Sequence, residues 1–285
     1  MKTKPPTTYT EQLEILKIRG CLVEDEQKAL TFLAQRNYYR VTAYLLPFRD
    51  SRTHLYVNNI SFSRVIAIYE FDWHLRHLLH QFIEDVEINL RSRIAYIHAH
   101  KYGPLGYRDP MNFEPSFNHV AFMDRCKEDI RHQENTPFVR HHLNNYDGQF
   151  PLWVIVELMS LGTLSLMYKN LRQQDKLLLK HELGLMELES WLACLVDMRN
   201  CCAHGDRLYF RRFSKVPAVS TSIVLNKPNS LFTQILVLKW LYPDRDRWNS
   251  EFVTQLDDLI RSYSKSILLS HMGFRNSWRN ELTWV

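Results

Sequence analysis

The chain has 285 residues, enough for a full hydrophobic core in one large domain or two closely joined ones. Only 8 are glycine while 13% are aromatic, and apolar and charged residues recur at helical spacing, which excludes a peptide-like scaffold and a disordered chain and favours helices over sheet. A net charge of +5, from 36 basic against 31 acidic residues, permits a nucleic-acid partner without demanding one.

The lead, Met1-Lys2-Thr3-Lys4-Pro5-Pro6, is Pro-rich and lacks the apolar core of a signal peptide, and no apolar run approaches membrane-spanning length. A cytoplasmic protein with no membrane partner is therefore expected. Residues 9–19 read as a helix with Leu13, Ile15 and Leu16 inward, stopped by Gly20, and 24–36 as a second carrying Ala29, Leu30, Phe32 and Leu33. The two make a helical hairpin that resembles a DNA-reading helix-turn-helix only in outline. Residues 41–48 read as another helix, and 52–62, with β-branched residues and two Asn, as a hairpin or loop.

The longest pattern runs from 61 to 100, with Phe62, Val65, Ile66, Tyr69, Trp73, Leu75, Leu79, Phe82, Ile83, Val86, Leu90, Ile94 and Ile97 in a wide apolar stripe. After a break at 103–115, helices are expected at 117–132, 152–171, 174–183 and 187–204, with a polar, flexible connection at 135–151. Beyond Gly205 comes a basic, irregular stretch containing Pro217 and Pro228, then helices at 231–241 and 246–270. No fixed-period repeat is present, which disfavours a solenoid. This divides the chain into an N-terminal helical region (1–60), a helical core (61–216) with a polar insertion near 134–150, and C-terminal helices packing on it (217–285).

Five cysteines, Cys21, Cys126, Cys194, Cys201 and Cys202, form neither an even framework nor a CxxC pair, so they read as small buried residues in a reducing compartment. Cysteine thus offers no metal site, and no cofactor is expected. Glu84, Asp85 and Glu87 beside Arg76, Arg91 and Arg93 fit a salt-bridged helix face better than metal ligands, and His74, His77 and His80 lack a fourth ligand. The phosphate-binding GxxxxGK[ST], dinucleotide GxGxxG, hydrolase GxSxG and zinc-protease HExxH signatures are all missing.

Arg199-Asn200-Cys201-Cys202-Ala203-His204 is the most informative stretch and the candidate for chemistry. A metal-free nuclease needs a group to neutralise a phosphodiester and another to move protons near neutral pH, and arginine and histidine are those groups. Five residues at about 100° each leave Arg199 and His204 roughly 140° apart on an ideal helix, so both address one phosphate only if the helix ends near His204, where Gly205 supplies a stop. The bland alternative is a salt-bridged arginine and a histidine at a helix end. Arg207, Arg211, Arg212 and Lys215, interleaved with Tyr209 and Phe213, suit RNA phosphates and bases, or else a solvated loop. Arg93 and His98 repeat the arginine–histidine spacing but with Ile94 in place of the amide, and form a candidate second motif.

In several further segments the chain resembles the Abi-like family of bacterial abortive-infection proteins, the AbiD and AbiF group. They are Arg19-Gly20, Asn37-Tyr38-Tyr39-Arg40, Tyr69-Glu70-Phe71-Asp72 with Leu75-Arg76, Glu84-Asp85-Val86-Glu87-Ile88, Arg91-Ser92-Arg93, Pro151-Leu152-Trp153-Val154-Ile155-Val156-Glu157 running into Leu161-Gly162-Thr163-Leu164-Ser165, Trp191-Leu192, Arg199-Asn200, Ala203-His204 and Arg207-Leu208. That family is similar to the HEPN superfamily of helical proteins, whose active members cut RNA without metal using an arginine, four to six intervening residues and a histidine. The resemblance implies an all-α, HEPN-type helical bundle and an endoribonuclease that acts in phage defence or as the toxin of a toxin–antitoxin pair, some members of the family being restrained by a small antitoxin RNA. It puts Arg199, Asn200 and His204 in the catalytic role. The RNA's own 2′-hydroxyl would attack, leaving a cyclic phosphate and a 5′-hydroxyl. HEPN sites form where two motifs face each other, so a homodimer is expected, or a pairing with Arg93 and His98 within the chain. The alternatives are a non-catalytic module that binds a small RNA, and a purely structural interaction protein.

Overall fold

The computed structural model describes residues 5–57, 59–221 and 223–285, which form helices joined by turns, with three isolated β-bridges and no strand among them. The all-α class expected from composition is the class observed. Met1 to Lys4 of the lead and Asn58 of the 52–62 segment lie outside the described residues.

Helix α1 (Tyr9–Ile18) starts at a capping box in which Thr8 and Glu11 each satisfy the other's backbone amide, and Gly20, at φ +91°, turns the chain after it. Helix α2 (Glu26–Gln35), capped by Asp25, buries Ala29, Phe32 and Leu33. The helix expected over 41–48 is displaced: Asn37 caps a shorter α3 (Tyr38–Ala43), and Pro47, which cannot continue it, lies in a 3₁₀ turn at Leu46–Phe48. Between Arg49 and Tyr56 there is a single bridge, so 52–62 is a loop and not a hairpin.

Helix α4 (Phe62–Tyr102) runs for 41 residues from its Ser61 cap, and its buried side chains follow the expected stripe except at half-buried Tyr69 and at Trp73, which is 46% exposed. Trp73 sits one 100° step past the stripe, whose interior positions are taken by Asp72 and Arg76. After α5 (His119–His132), the segment read as a flexible polar insertion holds α6 (Pro137–Asn145). Pro137 occupies its first turn, where a missing N–H costs nothing, and Val139 is fully buried. The one helix expected over 152–171 is two, α7 (Leu152–Leu158) and α8 (Leu161–Lys169), broken where Met159 turns extended before the Ser160 cap. Next come α9 (Gln173–Leu183) and α10 (Leu188–Ala203).

Helix α11 (Leu231–Leu241) is buried on nearly every side, and its Lys239 ammonium is satisfied by the Glu281 and Thr283 carbonyls at 2.8 and 3.0 Å. Helix α12 (Arg245–Arg247) continues through a π-helical segment, Trp248–Val253, into α13 (Thr254–Ser262), and α14 (Trp278–Leu282) closes the chain. The last long helix thus ends at Ser262 and does not reach 270. Ser262 and Ser264 return their hydroxyls to the Asp258 and Arg261 carbonyls, a local bonding that competes with helix.

One apolar core runs from Leu13 to Leu282 through all three sequence regions. Helix α4 is its axis and packs against α7, α8, α9, α10, α11 and α13, while α10 lies between α4, α8 and α11. Among the described residues no helix is long and apolar enough to cross a membrane.

Candidate functional site

The end of α10 is built like a lock. Gly205, at φ +66°, takes the left-handed position, the Asp206 amide donates to the Cys201 carbonyl at 2.8 Å and the Gly205 amide to that of Cys202 at 3.2 Å. The helix therefore stops at His204, as the glycine predicts. Its buried side carries Trp191, Leu192, Cys194, Leu195, Met198, Cys201 and Cys202, which leaves Asn200, Ala203 and His204 exposed, with Arg199 at the border. A Cβ added at Gly205 meets only the Arg40 guanidinium, at an ordinary 3.7 Å. Gly205→Ala is thus expected to cost only the backbone term, about 1–2 kcal/mol in a denaturant melt, and a neutral result would remove the lock from the account.

Arg199 is aimed by a neighbour. Its Nε lies 3.8 Å from Glu87 on α4, whose other oxygen accepts from Arg91, and Arg91 in turn donates to the Glu157 and Met159 carbonyls between α7 and α8. One carboxylate thus sits between two guanidinium groups. No acceptor among the described residues takes Arg199's terminal nitrogens, and the side chain is 32% exposed. Among the described residues the His204 imidazole likewise makes no hydrogen bond or ion pair, and Asn200 lies exposed one turn before it with no hydrogen bond joining the two side chains.

The segment after His204 is pinned from beneath. Asp72, fully buried on α4, accepts from Tyr44 (2.7 Å), Arg76 (2.6 Å) and the backbone amides of Leu208 (3.1 Å) and Tyr209 (2.7 Å). Burial pushes its carboxyl up, against these donors, all of which favour the ionised form. Arg76 also donates to the Asp206 carbonyl at 3.1 Å, Arg40 to that of Gly205, and Arg207 to that of Ala43. Segments 37–40, 69–76, 84–93 and 199–208 therefore converge on the helix end that bears Arg199 and His204. Asp72, Arg76, Glu87 and Arg40 were not among the expected site residues. The signal available was an aspartate and an arginine four apart inside the apolar stripe, positions a surface ion pair does not take.

The expected RNA-binding set divides. Arg207 donates to the Ala43 carbonyl and is partly enclosed, its pKa lowered by burial, so it braces the fold. Arg211 leans to Asp206 at 3.4 Å, whereas Arg212 and Lys215 are exposed. Tyr209 and Phe213 are buried at 0% and 3% exposure and offer no face for a base.

Arg93 and His98 do not form a second cluster. Arg93 is half-exposed, 4.0 Å from Glu182, while His98 lies 2% exposed among Tyr102 and Phe113. The separation is geometric: on uninterrupted α4, five residues span about 140°. Neither His98 nitrogen closes a hydrogen bond, and burial pushes the imidazole down from 6.5, opposed in part by the Gly106 backbone. A folded-state pKa below the unfolded one gives stability that is present above about pH 6.5 and is lost as the pH falls. Unfolding free energy should thus decline on acidification by up to about 1.4 kcal/mol per pH unit per proton, and a denaturant series on His98→Leu should be flatter over that range. An identical slope in the variant would assign it elsewhere.

Asp85 is engaged by Tyr242 and Arg247 and His77 by the Trp73 carbonyl, and among the described residues no three His, Cys, Asp or Glu side chains converge as metal ligands. All five cysteines are buried and unpaired, with burial pushing Cys21, Cys126 and Cys202 up to about 12 and Cys194 and Cys201 to about 11.

A family model described as Abi-like protein matches residues 31–210, the span that holds every converging segment and stops just short of Arg211. Searches of curated proteins and of solved structures returned no match.

Proposed function

The chain belongs to the Abi-like protein family, which places it with abortive infection and phage defence, and on that premise we infer that it is an endoribonuclease working without metal. One observation carries the reading: Arg199, met at Nε by Glu87 with its terminal nitrogens uncommitted among the described residues, shares with the exposed His204 a helix end held by four separate contacts.

In the reaction His204 takes the proton from an RNA 2′-hydroxyl, the oxygen attacks the adjacent phosphorus, and the bond to the 5′-oxygen breaks. Arg199 stabilises the charge that develops on the phosphoryl oxygens. The departing oxygen needs a proton, and one copy presents only one exposed histidine of this kind. His98 is enclosed, so a second copy of the chain, facing the first across a homodimer, supplies the second Arg199 and His204. Asn200, on the same exposed face, orients the phosphate or the imidazole. A small antitoxin RNA would restrain the enzyme by occupying the same basic surface.

Expression in bacterial cells of the wild type beside Arg199→Ala/His204→Ala tests this. Growth arrest with RNA fragments from the wild type alone is expected. RNA binding that falls steeply with salt, with no fragments from either protein, would instead identify a non-catalytic RNA-binding module.

A further inference from the structure

Phe210 is held in a conformation that a bulky residue avoids, φ +59°, and its ring is 42% exposed. The two residues before it have their amides fixed by Asp72, and its wall is anchored by Tyr209, whose hydroxyl lies 2.9 Å from His271 Nδ1 and accepts from the Leu268 amide at 3.1 Å. The Phe210 ring meets the His271 ring edge-on at 5.3 Å between centroids. It lines a cavity of about 520 Å³, within the usual range of ligand sites, together with Arg211, Arg212, Asn226 and Lys227.

The charge of this cleft is one-sided. No carboxylate lines it, Arg212 and Lys227 pair with none among the described residues, and Ser230, which caps the positive end of α11, stands at its edge. Cations beside an exposed ring that the backbone forces outward match one nucleotide of a single strand, phosphate on the cations and base on the ring. The geometry points to a subsite for a single-stranded RNA nucleotide flanking the one cut at Arg199 and at His204, the latter six residues upstream of Phe210. This inference rests on RNA as the substrate, and it gives Phe210 the stacking role that buried Tyr209 and Phe213 are unable to fill.

The test measures binding of the full chain to a short fluorescent 2′-O-methyl RNA, which lacks the attacking hydroxyl and stays intact. Phe210→Gly should weaken binding about 5- to 100-fold. It should also raise the melting temperature, because glycine adopts this backbone freely, which separates a binding loss from a folding loss. Phe210→Tyr should bind like the wild type. Arg212→Gln/Lys227→Gln should reduce the slope of log affinity against log salt by about 0.7 for each phosphate contact removed. Wild-type affinity in Phe210→Gly overturns the base platform, and an unchanged salt slope overturns the phosphate contacts. Displacement of the RNA by equimolar uridine monophosphate overturns the assignment to a strand in favour of a free nucleotide. A wild type that cuts RNA while Phe210→Gly binds and cuts equally well sinks the subsite alone; an inert wild type whose binding still depends on Phe210 sinks the nuclease reading alone.

Discussion

Replacing His204 with alanine should slow RNA cleavage by about 100- to 10,000-fold, and replacing Arg199 by about 100- to 1,000-fold, while the melting temperature of either variant moves by no more than about 2 °C. The two halves of this expectation come from the same geometry. His204 is exposed and its imidazole makes no hydrogen bond or ion pair among the described residues, and the ion pair of Arg199 is a 3.8 Å approach to Glu87, which keeps Arg91 as its partner when Arg199 is removed. Neither truncation opens a cavity or strands a buried charge, the two routes to a large loss of stability. Arg199→Lys retains the charge but not the planar fork that grips two phosphoryl oxygens, so it should recover only part of the rate. Cleavage rates beside thermal melts check all three, and a His204→Ala protein that cuts RNA at the wild-type rate would remove His204 from the reaction.

Asp72→Ala should be the most damaging substitution near the site, costing about 3–5 kcal/mol and lowering the melting temperature by roughly 10 °C. The carboxylate is fully buried and accepts from Tyr44, Arg76 and the Leu208 and Tyr209 amides, so its removal leaves a buried guanidinium without its counter-charge and two backbone N–H groups without an acceptor. Tyr44→Phe removes one donor and leaves the rest satisfied, and should cost only about 0.5–1.5 kcal/mol. Because Asp72 holds the segment that follows His204, the Asp72→Ala protein should also lose RNA cleavage at temperatures where it remains folded. Denaturant melts decide the first point, and a loss under about 1 kcal/mol would show that the network is not needed to hold the segment.

The helix pattern was legible because it rests on apolar spacing, which survives without knowledge of neighbours. Helix α4 and its stripe, the stop at Gly205 and the start of α11 at Leu231 follow from local rules alone. The errors came where a single residue redirects the chain. Pro137 starts α6 inside a polar stretch, and an extended Met159 divides one apolar run into two helices. The site was legible in part for the same reason. Arg199 and His204 advertise themselves by residue type, but the braces that hold them, Arg40, Asp72, Arg76 and Glu87, reach across the sequence, as from Arg40 to Gly205, and pattern carries no such distances. The bond from Arg207 to Ala43 left no trace in the sequence, because a guanidinium looks the same there whether it faces a phosphate or a backbone carbonyl. His98 shows the complementary error, spacing taken for proximity on a helix that runs straight on through Tyr102.

The central claim is that this chain cuts RNA through the 2′-hydroxyl with Arg199 and His204. Mapping the ends of RNA cut by the purified wild-type protein in excess chelator tests it most directly. The account predicts a cyclic phosphate on one side and a 5′-hydroxyl on the other, with 2′-O-methyl RNA and DNA left whole. Fragments bearing 5′-phosphates, or cleavage of RNA whose 2′-hydroxyls are blocked, would contradict it.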